Sequence, residues 1–217
     1  MLLMSVYYTI RINSDVLRSY PGINLFCAMI DVNVRNNYAL DVFLDELSKK
    51  LTVTKEMLKD HPVVRALRDF YWRMGIDPTK VRPSSEALAR RFLTSKSIRK
   101  INSVVDAGNI ASIETLVPIG IYDAGKIVGD VVLRLANQGE EFIDISNEKH
   151  SLQNTEIVLS DSKGVMHVFP HRDSFRTRVT EQTRRVLIVG CGVPGIEQQL
   201  TKLAVDRTIE LINMLGA

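Results

Sequence analysis

Four residues with complementary chemistry stand side by side at His171-Arg172-Asp173-Ser174. An imidazole and a carboxylate can move a proton or position a water, and a guanidinium beside them can grip an anion by paired hydrogen bonds. From Pro170 to Arg185 the chain carries five arginines (172, 176, 178, 184, 185) against two acids, Asp173 and Glu181. That density suits phosphate recognition, and it equally suits an edge strand kept soluble by charge. Arg90, Arg91, Arg99 and Lys100 form a second basic group.

Other candidate groups lie upstream. Tyr122-Asp123 ends an apolar run, and Gly139-Glu140 follows another. Both acids read as acid/base groups or as solvated turn residues. Asn102, Asp106 and Asn109 fall at i, i+4 and i+7, one face of a helix. Buried, such a row needs hydrogen-bond partners, which either a ligand or nearby backbone can supply. His61, His150 and His167 lack metal-ligand spacing and read as structural or exposed, so no metal site is expected. Gly190, Gly192 and Gly195 spell G-x-G-x-x-G after an apolar run, the pattern of a dinucleotide loop. Only one helical segment follows them, which leaves no second strand to complete a βαβ unit. A plain strand-to-helix turn is the competing reading.

The elements that must position these groups can be read from periodicity. Alternation toward Tyr8, Ile10 and Ile12 predicts a strand over 7–12, and a second strand is expected over 24–34. Leu40, Phe43, Leu44 and Leu47 mark a helix face. A further helix starts at His61-Pro62, buries Val64, Leu67 and Tyr71, and stops at Gly75. Ser84 is the expected N-cap of the next helix, with Glu86 placed for its dipole. After a short helix from Asn102, strands are expected over 117–121, 131–135, 142–145, 156–159, 165–169 and 186–189. Asp161-Ser162-Lys163-Gly164 reads as a hairpin turn. A helix over 196–215 closes the chain. Helices mostly precede strands, which predicts an α+β fold with a mixed or antiparallel sheet and packed helices.

Composition adds bounds. The chain has 217 residues, 45% of them hydrophobic, enough for one core without a staple. A net charge of +3 neither demands nor excludes nucleic acid. The two cysteines, Cys27 and Cys191, form no CxxC pair and fit a reducing cytoplasm. No run reaches transmembrane length, so no membrane partner is expected. Oligomeric state is not legible.

From residue 76 to 189 the chain resembles the editing module of the phenylalanyl-tRNA synthetase β subunit, the B-three/B-four domain, and above all free-standing proteins built from that module. The resemblance rests on Asp77-Pro78, Arg82-Pro83-Ser84-Ser85-Glu86-Ala87-Leu88, Arg90-Arg91 and Ile101-Asn102-x-Val104-Val105-Asp106-x-x-Asn109. It continues through Pro118-Ile119-Gly120-x-Tyr122-Asp123, Gly139-Glu140, His171-Arg172-Asp173-Ser174 and Thr183. It implies one compact unit: an N-terminal portion (1–75), a core (76–190) and a C-terminal helix (191–217). It also implies trans-editing, the hydrolysis of the ester on a mischarged tRNA, with the aminoacylated 3′ end as partner and no cofactor. On that footing Asp123, His171, Asp173 and Glu140 are the expected catalytic groups. Asn102, Asp106, Asn109, Gly120, Tyr122 and Thr183 would bind substrate, and Arg82, Arg172, Arg176 and Arg178 would meet RNA. One departure stands out: bacterial synthetases commonly have a histidine where this chain has Gly120. The alternatives are a non-catalytic RNA-binding or protein-interaction module and a nucleotide-dependent enzyme built on Gly190, Gly192 and Gly195.

Overall fold

The computed structural model describes residues 6–217. The strand expected over 7–12 is two short pieces, β1 (Val6–Tyr7) and β2 (Arg11–Ile12), which join different sheets. A short helix α1 (Ser14–Ser19) leads to the long strand β3 (Asn24–Asp31). Helices α2 (Leu40–Lys50), α3 (Pro62–Arg73), α4 (Ser84–Ser95) and α5 (Ser103–Thr115) follow. The strand-rich half contains β4 (Ile119–Asp123), β5 (Val132–Leu135), β6 (Glu141–Ile143) and β7 (Lys149–Ser151). It continues with β8 (Ile157–Asp161), β9 (Gly164–Val168), β10 (Arg172–Asp173) and β11 (Arg185–Gly192), and α6 (Gln198–Met214) ends the chain.

Two sheets and a hairpin result. The first is four-stranded and antiparallel, in the order β1-β3-β11-β4. The second is five-stranded, β10-β9-β8-β5-β2, with only β2 parallel to its neighbour. β6 and β7 pair separately. The fold is thus α+β with mixed sheets.

Helices α5 and α6 pack on the first sheet and on each other, and α4 packs on α5. α5 is buried on nearly every side, including Val104, Ile110 and Ile113. Each such aliphatic side chain contributes roughly 1.5–3 kcal/mol when removed from water. Gly108 lets α5 approach β4, since a Cβ there would stand 2.6 Å from Cδ1 of Ile121.

Local chemistry explains the helix starts. His61 caps α3, its Nδ1 accepting from the Val63 amide at 3.3 Å, with Pro62 at the first helical position. Asn102 caps α5 by accepting from the amides of Val104 and Val105. At α4 the expectation fails: Pro83 is the cap residue and Ser84 already lies inside the helix. Glu86 is not a surface partner of the helix dipole but is fully buried, taking bidentate hydrogen bonds from Arg68 and one from Arg90. A buried carboxylate needs paired donors, and α3 and α4 supply two guanidiniums.

The expected turn at 161–164 is present. Asp161 pairs with Gly164 and its Oδ1 accepts from the Lys163 and Gly164 amides.

Candidate functional site

β4 is an edge strand of the first sheet. A cavity of about 500 Å³ takes walls from both faces of β4, as a hollow along an unpaired edge does. Its apolar wall includes Ile101, Val105, Ile119, Ile121, Ile145 and Val179, and its polar groups are Asn109, Tyr122, Asp173, Ser174 and Arg178. A smaller chamber of about 120 Å³ adjoins it through Asn109, Ile119 and Asp173, which line both. The chamber adds Gly120, Ser84, Ser112, His167, His171 and Cys191.

Asp173 is the centre of the polar network. Its Oδ1 accepts from the Tyr122 hydroxyl at 3.1 Å and from His167 Nδ1 at 2.9 Å. Among the described residues its Oδ2 has no hydrogen-bond partner, and the side chain is 46% exposed. Two donors on one oxygen fix the carboxylate and leave the other oxygen for a ligand or a water.

The groups around it are held in defined protonation states. Burial, reinforced by the Asp173 charge, pushes the Tyr122 phenol far above its ordinary value, so it stays a donor. His171 is lowered to about 4, first by burial and then by His167 and Arg172; Asp173 and the Phe169 carbonyl oppose this only in part. It is a neutral imidazole at pH 7. Cys191 lines the chamber, but burial and the charge of Asp173 raise its thiol well above the ordinary range, which rules it out as a ready nucleophile.

Tyr122 also accounts for Gly120. The two residues share a strand face, and a Cβ at 120 would lie 2.1 Å from the Tyr122 oxygen and 2.6 Å from Cζ. The phenol occupies the space a larger residue at 120 would need.

Of the residues expected to act here, Asn109, Gly120, Tyr122, His171 and Asp173 converge on the two hollows. Arg178 joins them at the wall, stacked 3.4 Å over the Phe175 ring. The others are placed elsewhere. Asp123 points away from Tyr122, as adjacent strand residues must, and accepts from the Thr183 hydroxyl at 2.8 Å and the Gly125 amide at 3.0 Å. Asp123 and Thr183 therefore fasten a loop to the end of β4. Glu140 forms a bidentate pair with Arg134 and accepts from the Asn137 amide. Arg134 and the Asn137 amide together supply three hydrogen bonds to its two oxygens.

Asn102 spends its carbonyl on the helix cap, and Asp106 accepts from the Ile101 amide and the Tyr38 hydroxyl. Burial raises Asp106 despite these donors. Arg176 is bound bidentately by Asp161 and by two carbonyls, a structural clamp rather than a free phosphate ligand. Arg172 meets His150 Nδ1 at 3.2 Å, and Arg82 is exposed before α4.

His167, expected to be structural or exposed, is buried on β9 and hydrogen-bonds Asp173 within the site. It is the one polar residue in the buried run Val165-Met166-His167-Val168, and a polar residue in a buried strand needs a partner.

The glycine motif has a packing origin. Among the described residues β11 lies between two antiparallel strands, so the glycines do not open a βαβ unit. A Cβ at Gly190 would stand 2.9 Å from the Thr201 carbonyl of α6, and one at Gly192 would overlap Asn24. Gly195 has φ +95° in the turn. The hollow beside Pro194-Gly195, about 360 Å³, carries Asp60 and Asp69 as well as Arg65 and Arg73, a poor lining for a pyrophosphate.

Fold and site define an α+β domain with a polar-ended cavity along a sheet edge. Residues 66–216 match the B3/4 domain model, and the chain belongs to that family. It is similar to phenylalanine–tRNA ligase β subunits: 27% identical over 164 residues to that of Mycoplasma pneumoniae, covering 73% of this chain and 20% of the relative. The Mycoplasma genitalium subunit is 27% identical over 125 residues (57% and 16%), and that of Psychrobacter arcticus 36% over 97 residues (44% and 12%). The chain thus spans a fifth or less of the length of these relatives. An N-terminal fragment of the phenylalanyl-tRNA synthetase β subunit from Pyrococcus horikoshii shares the fold, with a TM-score of 0.51 at 17% identity, over 96% of this chain and 49% of that one. Among the described residues no helix is long and apolar enough to cross a membrane.

Proposed function

We propose that this domain binds the aminoacylated 3′ end of a tRNA and hydrolyses its ester. Two things support the reading: kinship with tRNA-ligase β subunits, and the carboxylate of Asp173, which lines both hollows, is fixed through Oδ1 and has no partner on Oδ2 among the described residues. The second is the observation that carries it. The larger cavity, apolar-walled with Arg178 at its side, fits a terminal adenosine whose phosphate meets the guanidinium.

Ester hydrolysis needs a positioned water, a donor for the developing oxyanion, and a place for the substrate ammonium. Asp173 Oδ2 either orients the water or meets the ammonium. The Asn109 amide is a neutral side-chain donor that lines both hollows. Tyr122 and His167 hold Asp173 and are positioning residues in this scheme. With Gly120 in place of an imidazole, the scheme uses no base at that position.

The test is release of amino acid from a panel of cognate and mischarged aminoacyl-tRNAs by the purified protein at low salt, with Asp173→Asn alongside. Release that the variant loses while remaining folded supports the proposal. tRNA binding without release from any member of the panel would leave a non-catalytic RNA-binding module as the function.

A further inference from the structure

The small chamber contains what a specificity pocket requires and a plain packing defect does not: buried hydrogen-bonding atoms without partners. His167 is 4% exposed, and with Nδ1 donating to Asp173 its Nε2 is an acceptor that no described group satisfies. His171 Nδ1 is likewise buried without a partner. Both residues line the chamber, with Ser84 and Ser112. A buried polar atom left unsatisfied destabilises the fold, and a ligand group of the right kind offsets that on binding.

Size narrows the ligand. At roughly 30 Å³ per water, a chamber of about 120 Å³ holds a side chain of a few non-hydrogen atoms. An indole ring exceeds that space. Behind Gly120 the Tyr122 ring limits expansion, because it packs against the Gly120 backbone and is tied to Asp173.

Resting on the ester-hydrolase reading, we infer that the chamber is the amino acid side-chain subsite and that it selects a small hydroxyl-bearing side chain, threonine or serine, through His167 Nε2 and His171 Nδ1. Asp173 lines both hollows, so a side chain in the chamber and an adenosine in the larger cavity put the ester between them, beside the Asp173 carboxylate. His167 and His171 are specificity residues here. Neither takes part in bond breaking.

Threonine and valine are nearly isosteric, so comparing their esters isolates the hydroxyl. A site that hydrogen-bonds a substrate hydroxyl rejects the analogue lacking it far more strongly than an apolar pocket discriminates by shape. Threonyl-tRNA and seryl-tRNA should be hydrolysed at least a hundredfold faster than valyl-tRNA, and leucyl- and phenylalanyl-tRNA should be poor substrates. His171→Phe, checked for folding by its melting transition, should bring the threonine-to-valine ratio to within about tenfold. A merely structural role for His171 would lower both rates and keep the ratio.

Binding of the non-hydrolysable 3′-threonylamino and 3′-valylamino derivatives of 3′-deoxyadenosine, measured by calorimetry, gives an answer independent of turnover. Tighter binding of the threonyl derivative by the same factor supports the inference even if no ester is cleaved. Hydrolysis that favours leucine or phenylalanine would overturn it while leaving the hydrolase reading intact. Equal binding of the two derivatives would show that the histidines do not read the hydroxyl, and no binding would mean that the chamber holds only water; either result overturns the inference.

Discussion

The ring of Tyr122 folds back over Gly120, so that a methyl group at position 120 would fall 2.1 Å from the tyrosine oxygen. That oxygen donates to Asp173, which ties the smallest residue on β4 to the carboxylate at the centre of the cavity. Gly120→Ala must displace the ring and break the Tyr122–Asp173 bond. Overpacking of this kind costs about 1–3 kcal/mol, and the freed carboxylate should lose most of its activity toward aminoacyl esters. Tyr122→Ala removes the clash, so the double variant should be more stable than the sum of the single effects, as read by denaturant unfolding. Strict additivity would show that the contact does not exist in solution.

The two aspartates on either side of the site separate by role. Asp173→Asn keeps the shape but weakens the charge at Oδ2; it should slow ester release at least tenfold with little change in melting temperature. Asp123→Ala breaks the Thr183 and Gly125 contacts and should cost about 1–3 kcal/mol of stability. The specific activity of its folded fraction should remain near that of the parent. Rate loss in Asp123→Ala without destabilisation would reverse the assignment.

His171 should make stability depend on pH. Its value in the fold is lowered to about 4, against about 6.5 in an unfolded chain. Above the unfolded value neither state holds the proton, and the full stability is present. As pH falls below it the unfolded chain binds one more proton, and stability is lost at up to about 1.4 kcal/mol per pH unit until the folded state protonates too. Urea unfolding at pH 7, 6 and 5 should show this slope, reduced in His171→Phe. An unchanged slope in the variant would assign the titration to another group.

Glu86 is a buried acid held by two arginines. It is fully buried, and although burial alone would raise it, Arg68 and Arg90 hold it below the ordinary carboxylate range. Glu86→Gln leaves two guanidiniums short of their counter-charge and should destabilise by about 3 kcal/mol. Because the folded value is depressed, the parent's stabilisation from this group is present above about pH 4.3 and lost as pH falls through the folded value. A Glu86→Gln protein as stable as the parent at pH 7 would contradict the buried triad.

Two arginines eight residues or fewer from Asp173 should behave oppositely. Arg176 is clamped by Asp161 and the carbonyls of Lys126 and Gly164, so Arg176→Ala should lower stability. Arg178 lies on the cavity wall, and Arg178→Ala should weaken tRNA binding and reduce the salt slope of the binding constant by about one. If Arg178→Ala bound tRNA with an unchanged salt slope, no phosphate would meet that guanidinium.

The α+β class, the helices from Pro62 and Ser103, the hairpin at Asp161–Gly164 and the closing helix were all legible, because each rests on local periodicity or on one capping or turn residue. Less was legible where the chain switches sheets. The run through Tyr8 and Ile10 reads as one strand, but β1 pairs with β3 and β2 with β5. β7 and β10, of three and two residues, are too short to show a period. Among site residues, motif matching brought forward Asp123, Glu140, Asn102 and Asp106 beside Tyr122 and Asp173. Residue type cannot tell a carboxylate that caps a turn from one that faces a cavity.

The sequence alone determined the layout of helices and strands and the kinship of the chain, since both depend on residues near one another or on their order. It also supplied Tyr122, Asn109 and the run from His171 to Asp173. Only the tertiary structure decided which of them meet. His167 Nδ1 and the Tyr122 hydroxyl reach the same Asp173 oxygen from separate strands, and Glu86 is drawn inward by arginines on two helices. Hydrogen bonds of this kind depend on distances of about 3 Å between atoms far apart along the chain, and those distances are fixed only when the sheets and helices pack.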